Sequence, residues 1–233
     1  KVKDKDIVVP GEVLAVGMDY LPAGGAFRDN DEIIASQVGI ISIGGRLIKL
    51  VPLNSRYIPK RGDKLIGKIT DVSANVWFVD INHYNEAAIT LVEGSNEYIP
   101  RGADLTQYYA PGDYIVGTVI GVSRSNVNLT LKGPGLKKIG EGRIIYVNSA
   151  KVPRIIGKEG SMISMIKEMT DCRIIVGQNG IIWLSGADPE KEKLAHDAIK
   201  LIEERAHIQG LTDEIKNFLE EKLGGKGGIY EEK

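Results

Sequence analysis

Eleven residues recur fifty positions apart. The run Gly62–Asp63–Lys64–Leu65–Ile66–Gly67–Lys68–Ile69–Thr70–Asp71–Val72 returns as Gly112–Asp113–Tyr114–Ile115–Val116–Gly117–Thr118–Val119–Ile120–Gly121–Val122. Both copies are rich in Ile, Leu and Val, start at Gly-Asp and carry a glycine in mid-run. They read as two related strands. A mid-strand glycine predicts a bulge or sharp bend, the device that lets a small sheet close on itself. Val76–Ile81, Ala87–Val92 and Val127–Leu131 supply three more strands. Five short strands within residues 59–132 predict a closed OB-type barrel.

The flanks differ from this centre and from each other. Residues 1–58 hold seven basic and seven acidic side chains, with apolar runs at Val13–Val16, Ile33–Ala35, Val38–Ile43 and Leu47–Val51. Gly44–Gly45, between the last two runs, signals a two-residue hairpin turn. A small twisted β-module without a helix follows from these runs. Residues 133–142 read as a linker rich in Gly and Lys. The period then changes. Arg143–Val147 reads as a strand and Ser161–Thr170 as a helix with Met162, Ile163, Ile166 and Met169 on one face. Arg173–Val176 and Ile181–Leu184 are strands, and the Asn179–Gly180 pair between them predicts a type I′ turn. Asp188–Pro189 caps a helix that runs to about Ala206, with Leu194, Ala198, Leu201 and Ile202 inward. A further amphipathic helix spans Thr212–Leu223 and stops at Gly224–Gly225, followed by a loose tail, Lys226–Lys233. The expected fold class is multidomain, β plus α+β: a β-module (1–58), a five-stranded OB-type barrel (59–132) and an α+β domain with a terminal helix (143–223).

Composition narrows the chemistry. The 28 glycines, against three Phe and two Trp, suit turns and small barrels better than one large helical core. A single cysteine, Cys172, excludes a disulfide scaffold and a Cys-rich zinc ribbon. No apolar run approaches the roughly 18 residues of a membrane span, and no signal-peptide pattern opens the sequence, so a soluble cytoplasmic protein is expected. The net charge of −1 hides local imbalance. From Arg143 to Lys158 there are four basic residues (Arg143, Lys151, Arg154, Lys158) and no acidic one, whereas Asp188–Arg205 carries six acidic against four basic.

That basic stretch ends in Gly157–Lys158–Glu159–Gly160, between an apolar run and a helix. The order is strand, helix, Gly-x-x-Gly, helix, two strands, long helix, which is the KH arrangement. In such domains the loop clamps the backbone of about four nucleotides. Glycines let backbone approach phosphate, the following helix presents free N–H groups, and Lys158 adds a full charge. Two readings of the loop stand at this point: a phosphate clamp, or a tight turn with solvated charges, since Glu159 opposes phosphate. Gly177–Gln178–Asn179–Gly180 reads first as a hairpin turn.

The three-part order resembles the KH-containing RNA-binding cap subunits of the archaeal RNA exosome. The resemblance covers nearly the whole chain. It rests on Val9–Pro10–Gly11, on Tyr57–Ile58–Pro59–Lys60–Arg61–Gly62–Asp63 with Ile66–Gly67, on the Gly-x-x-Gly loop, and on Gly177–Gln178–Asn179–Gly180, a Gly-x-Asn-Gly signature. It implies that Gly177, Asn179 and Gly180 pack between the KH domain and a barrel of the ribosomal S-one type. It implies a trimeric cap of this chain on a ring of phosphorolytic RNase subunits, binding single-stranded RNA such as poly(A) tails. It implies no catalysis; no cofactor and no metal are expected.

On the barrel, candidate RNA contacts are Lys64, Lys68, Phe78, His83, Tyr84 and Arg124, aromatic and basic groups of the kind that hold single strands on OB folds. Trp77 and Phe78 must face opposite sides of their strand. Either both pack, or one is a stacking platform; the resemblance makes it Phe78. The His-x-Ser of the ribosomal type has no counterpart near Glu93–Pro100. The remaining candidates fall away. Gly62–x4–Gly67–Lys68 lacks the Ser/Thr of a nucleotide loop, because Ile69 stands there. His83, His196 and His207 are far apart and form no metal-ligand spacing. Two other classes carry OB and KH domains: RNA phosphorylases, which place KH before OB, and transcription or translation factors that bind RNA outside a degradation complex.

Overall fold

The structure, a computed structural model, describes residues 2–54, 56–124, 126–206, 208 and 210–224. It comprises two compact units, residues 1–55 and 56–233. The first is all β. Its strands are β1 (Ile7–Val8), β2 (Val13–Val16), β3 (Leu21–Ala23), β4 (Ala26–Asp29), β5 (Glu32–Ala35), β6 (Gly39–Gly44) and β7 (Leu47–Pro52). They form two sheets, ordered β1-β6-β7-β3 and β2-β5-β4. Val8, Leu14, Ile33, Ile41, Ile48 and Leu50 make the core. Gly44 pairs with Leu47, so the β6–β7 turn is Gly45–Arg46, one residue later than the Gly-Gly pair suggests. Gly45 carries the positive φ, 60°.

The second unit opens with the barrel: β8 (Lys64–Val72), β9 (Val76–Asp80), β10 (Ala87–Thr90), β11 (Tyr114–Val122) and β12 (Val127–Thr130). Strand β12 pairs with both β10 and β11, which closes the sheet. The two repeat copies are neighbours. Strands β8 and β11 run antiparallel, and each Gly-Asp corner grips the other strand: Gly62 N–H donates to Val119 O (2.7 Å) and Gly112 N–H to Ile69 O (2.8 Å). The Asp63 and Asp113 carbonyls accept from Val119 and Ile69 N–H in return. The bulges fall at those gripped residues, between Ile69 and Asp71 and between Val119 and Gly121, at equivalent places in the repeat. They do not fall at Gly67 and Gly117. Gly67 is small for another reason: a Cβ there would run into Val79 Cγ1 inside the barrel. Trp77 is fully buried and donates its Nε1–H to Leu105 O and Tyr109 O, both 3.2 Å. The 105–109 segment, which opens with a short 3-10 turn at Leu105–Gln107, thus packs Leu105 and Tyr109 on the barrel core, and the sequence shows no strand or helix pattern there.

The expected linker is partly ordered. Lys137–Lys138 form β13, paired to β11, and Ile139 is buried beyond it. The KH part follows: β14 (Arg143–Tyr146), α1 (Val152–Ile156), α2 (Ser161–Thr170), β15 (Arg173–Val176), β16 (Ile181–Ser185), α3 (Pro189–Glu204) and α4 (Leu211–Gly224). The sheet order is β14-β16-β15, all antiparallel. Ile145, Ile174, Ile182 and Leu184 face the helices. Helix α3 is turned slightly from the expectation: Ala195, Ala198, Ile199 and Ile202 are buried, while Leu194 and Leu201 are only partly covered. Its two alanines let the helix lie close to the sheet. The opposite sheet face, with Ile181 and Trp183, packs on Ile66 and Val116 of the barrel wall and on Ile139. The tail expected over Lys226–Lys233 lies outside the described residues, as do Gly225 and His207.

Candidate nucleic-acid interface

Two turns of identical spacing sit on the KH part. In the first, Gly157 and Gly160 have φ of 77° and 83°, and Glu159 between them adopts φ 53°. These left-handed or unusual residues turn the chain from α1 into α2. Lys158 and Glu159 are exposed, and nothing lies within 4 Å of the place a Gly160 side chain would take. A Cβ on Gly157 would press on Met162 at 2.7 Å. The loop therefore presents backbone, one ammonium and one carboxylate to solvent, directly before the first turn of a ten-residue helix.

Of the other loop-side candidates, Lys151 lies one residue before α1 and is half-buried. Arg154 is committed elsewhere. Its Nε donates to Ala206 O (2.9 Å) and its Nη2 to Ile208 O (3.3 Å), at the C-terminal end of α3. A guanidinium there complements the helix dipole. Arg143 begins β14 opposite Leu184, while the other end of that strand, Tyr146, leads towards the loop. The basic run of the sequence is thus spread over three places.

The second turn is closed. Asn179 is fully buried; its Nδ2 donates to Ile66 O (2.7 Å) and Ile81 O (2.9 Å), and its Oδ1 accepts from Ile66 N–H (3.4 Å). Gln178 N–H donates to Lys64 O at 2.9 Å. A Cβ at Gly177 would meet Ile66 N at 2.8 Å, and one at Gly180 would run into Val147 O. The turn is bonded from Gly180 N–H to Gly177 O, and only Gly180 has positive φ (84°). A type I′ turn needs positive φ at both central residues, so the Asn-Gly expectation is corrected. Asn179 instead serves as a bridge to the barrel, and its backbone follows from that.

On the barrel, Lys64, Ile66 and Lys68 share the outer face of β8, and the Gly177–Gly180 turn covers Ile66 between the two lysines. Lys64 and Lys68 therefore flank a protein contact. The Lys68 ammonium stands 5.9 Å over the Tyr114 ring. Tyr146 lies beside Tyr114, and the Tyr114 hydroxyl, with burial and the nearby Asp80 charge, pushes the Tyr146 phenol up to about 12. The sequence pattern does not single out this Lys68–Tyr114–Tyr146 group; its signal is the one aromatic in the strand copies, Tyr114 at the place of Lys64. Phe78 is half-buried on the outer side of β9, opposite the interior Trp77. The His83 and Tyr84 rings lie 4.1 Å apart between centroids with their planes tilted by 41°, and Tyr84 is 80% exposed. Asn85 Nδ2 donates to Arg124 O (3.2 Å), which brings the His83–Tyr84 loop beside Arg124. These three form one surface; Lys64 and Lys68 form another. Among the described residues no group of three or more His, Cys, Asp or Glu side chains could hold a metal. No helix of the described residues is long and apolar enough to cross a membrane.

The chain is similar to known proteins over almost all its length. Residues 142–204 match the KH domain family, and residues 56–100 match the family described as RRP4, S1 domain. An exosome complex component Rrp4 of Methanothermobacter thermautotrophicus is 41% identical over 224 residues, covering 96% of this chain and 70% of its own. The protein of the same name from Pyrococcus furiosus is 43% identical over 226 residues, covering 95% and 85%. That of Picrophilus torridus is 40% identical over 235 residues, covering 97% of both chains. A crystal structure described as that of an exosome complex RNA-binding protein superposes with a TM-score of 0.66 at 36% identity, covering 74% of this chain and 99% of its own.

Proposed function

The chain belongs to the family of the exosome complex component Rrp4, and from that membership we propose that it is a non-catalytic, RNA-binding cap subunit of an exosome. It binds single-stranded RNA, including poly(A)-type tails, and guides the 3′ end into a ring of phosphorolytic RNase subunits. Three copies form the cap. Such a complex works in the cytoplasm. The observation that carries this reading is the open Gly157–Gly160 loop, held on a KH domain that Asn179 bolts to the barrel. Backbone N–H groups and Lys158 take phosphates there. The remaining contacts are assigned to the backbone of Gly157, Glu159 and Gly160 and to Lys151 and Arg143 around the KH part, with Arg154 held by Ala206 and Ile208 instead. On the barrel they fall to Phe78, His83, Tyr84 and Arg124, with Lys64 and Lys68 beside the seam. Gly177, Asn179 and Gly180 are structural.

In the first unit, Ile7, Val9, Val16, Met18 and Leu21 are more than half exposed, apolar side chains that contact with the ring would cover. The test is direct. The purified chain should bind a poly(A) oligomer in a salt-sensitive way and leave its length unchanged in phosphate buffer. Release of nucleoside diphosphates by the chain alone would overturn the non-catalytic assignment. Failure to co-purify phosphorolytic subunits from cell extract would overturn the cap assignment.

A further inference from the structure

A cleft of about 690 Å³ runs between β13 and the outer edge of β15, and it reaches round that edge to Cys172, Ile174 and Lys167 on the helix side. Its floor is apolar: Ile139, Ile175 and Trp183. Its walls carry four cations, Lys137, Lys138, Lys167 and Arg173, against one carboxylate, Glu141. That is a surplus of three positive charges in a chain whose net charge is −1. Lys138 is spoken for by an ion pair with Asp113. Burial raises the Asp113 pKa, but the Lys138 ammonium and the Ala110 N–H outweigh it and hold that carboxyl below its usual range. Lys137, Lys167 and Arg173 make no ion pair among the described residues, and all three are exposed.

These three come from three elements. Lys137 is on β13. Arg173 opens β15 on the same sheet face as Ile175, at an edge that no further strand of the described residues covers. Lys167 is in the C-terminal half of α2. Helix α2 starts at the Gly157–Gly160 loop, and its ten residues span about 15 Å. Ser161, Ser164 and Lys167, at intervals of three, are exposed along it. A polar track therefore connects the open loop to the basic cleft.

We propose that this cleft is a second seat for single-stranded RNA, in which Lys137, Lys167 and Arg173 hold the phosphates of the segment that leaves the loop along α2. The proposal rests on the RNA-binding function proposed above and adds a site to it. Charge complementarity and continuity with the loop favour a nucleic-acid backbone. An acidic peptide added to the β15 edge would have no use for the track along α2. Arginine suits the position, since its planar head can hold phosphate through two bonds or stack on a base.

The full chain is titrated with fluorescent oligoadenylates of about five nucleotides, which the loop alone can hold, and of about twenty. The variant K137E/K167E/R173E is compared with wild type over a range of salt. For the long oligomer the slope of log affinity against log salt should fall by about 2, from three phosphate contacts at about 0.7 each. For the short oligomer it should not change. K137Q/K167Q/R173Q should give a smaller shift in the same direction, and unchanged unfolding midpoints show that both variants are folded. An unchanged long-oligomer slope, with Lys158→Glu still weakening both oligomers, overturns the cleft and keeps the loop. No binding by wild type overturns both. Unchanged RNA slopes together with loss of binding to a polyglutamate peptide assign the cleft to an acidic protein instead.

Discussion

The KH part carries Gly157–Lys158–Glu159–Gly160 and, twenty residues on, Gly177–Gln178–Asn179–Gly180. Both are Gly-x-x-Gly turns between regular elements, and both hold glycine in a positive-φ position. Their surroundings are opposite. The second is enclosed: Asn179 has its amide bonded to two carbonyls and an N–H, and both glycines abut backbone. The first has a charged pair exposed and open space around Gly160. Spacing alone thus fixes a turn and leaves its use open. The use depends on whether the two central residues find partners in the same chain. A saturated turn is a joint, and a turn with unspent donors is free for a ligand.

The largest effect should come from emptying the joint. Asn179→Ala leaves Ile66 O and Ile81 O buried without their donor. Each unsatisfied group costs about 1–3 kcal/mol, so a loss of about 3 kcal/mol is expected by chemical unfolding. The barrel and KH parts should then melt in separate steps. A single unshifted transition would break the contrast between the turns. A smaller pair of effects sharpens it. Gly177→Ala should cost about 2 kcal/mol, because its Cβ meets Ile66 N at 2.8 Å. Gly160→Ala has room and meets only the strain of φ 83°, about 1 kcal/mol. Thermal unfolding of the two side by side checks the order.

Much of this architecture is legible as pattern. The apolar runs of the sequence fall on β2, β5, β6, β7, β9 and β10 to within two residues at either end. Chemistry that depends on three-dimensional partners is not. Lys137–Lys138 read as linker because two lysines carry no apolar signal, yet Leu136 and Ile139 bracket them and pin the segment to β11 and Trp183. The mid-strand glycines predict bulges at their own positions, but the backbone bends where the Gly-Asp corners bond, at Ile69 and Val119. Arg154 counts as a phosphate contact by proximity in sequence, while in space it reaches α3. A subtler signal lies in the KH strands, which read Arg-Ile-Ile-Tyr, Arg-Ile-Ile-Val and Ile-Ile-Trp-Leu without alternation, the mark of strands covered on both faces. The helices cover one face, so the missing alternation is the trace of the barrel contact on the other.

Binding separates the turns in the other direction. Lys158→Glu should reduce the salt slope for single-stranded RNA by about 0.7, one phosphate contact, without changing the unfolding midpoint. Gln178→Glu, also exposed but on the closed turn, should leave the slope alone. Anisotropy titrations at several salt concentrations distinguish them. Equal responses would mean that the closed turn reaches RNA as well.

The smallest effect tests the carboxylate inside the open loop. Glu159 is exposed, holds φ 53°, and makes no ion pair among the described residues. Its charge would oppose a phosphate seated on the same loop. Surface charge interactions amount to about 0.2–1 kcal/mol, so Glu159→Gln should tighten RNA about two- to threefold at low salt. The gain should shrink towards none near 1 M salt, where the screening length falls to about 3 Å. The backbone constraint is unchanged by this substitution, so stability should stay level and the whole response should be electrostatic. A gain that persisted at high salt would mean that the carboxylate shapes the loop rather than repels the ligand. The open turn would then be partly a joint, like its closed counterpart.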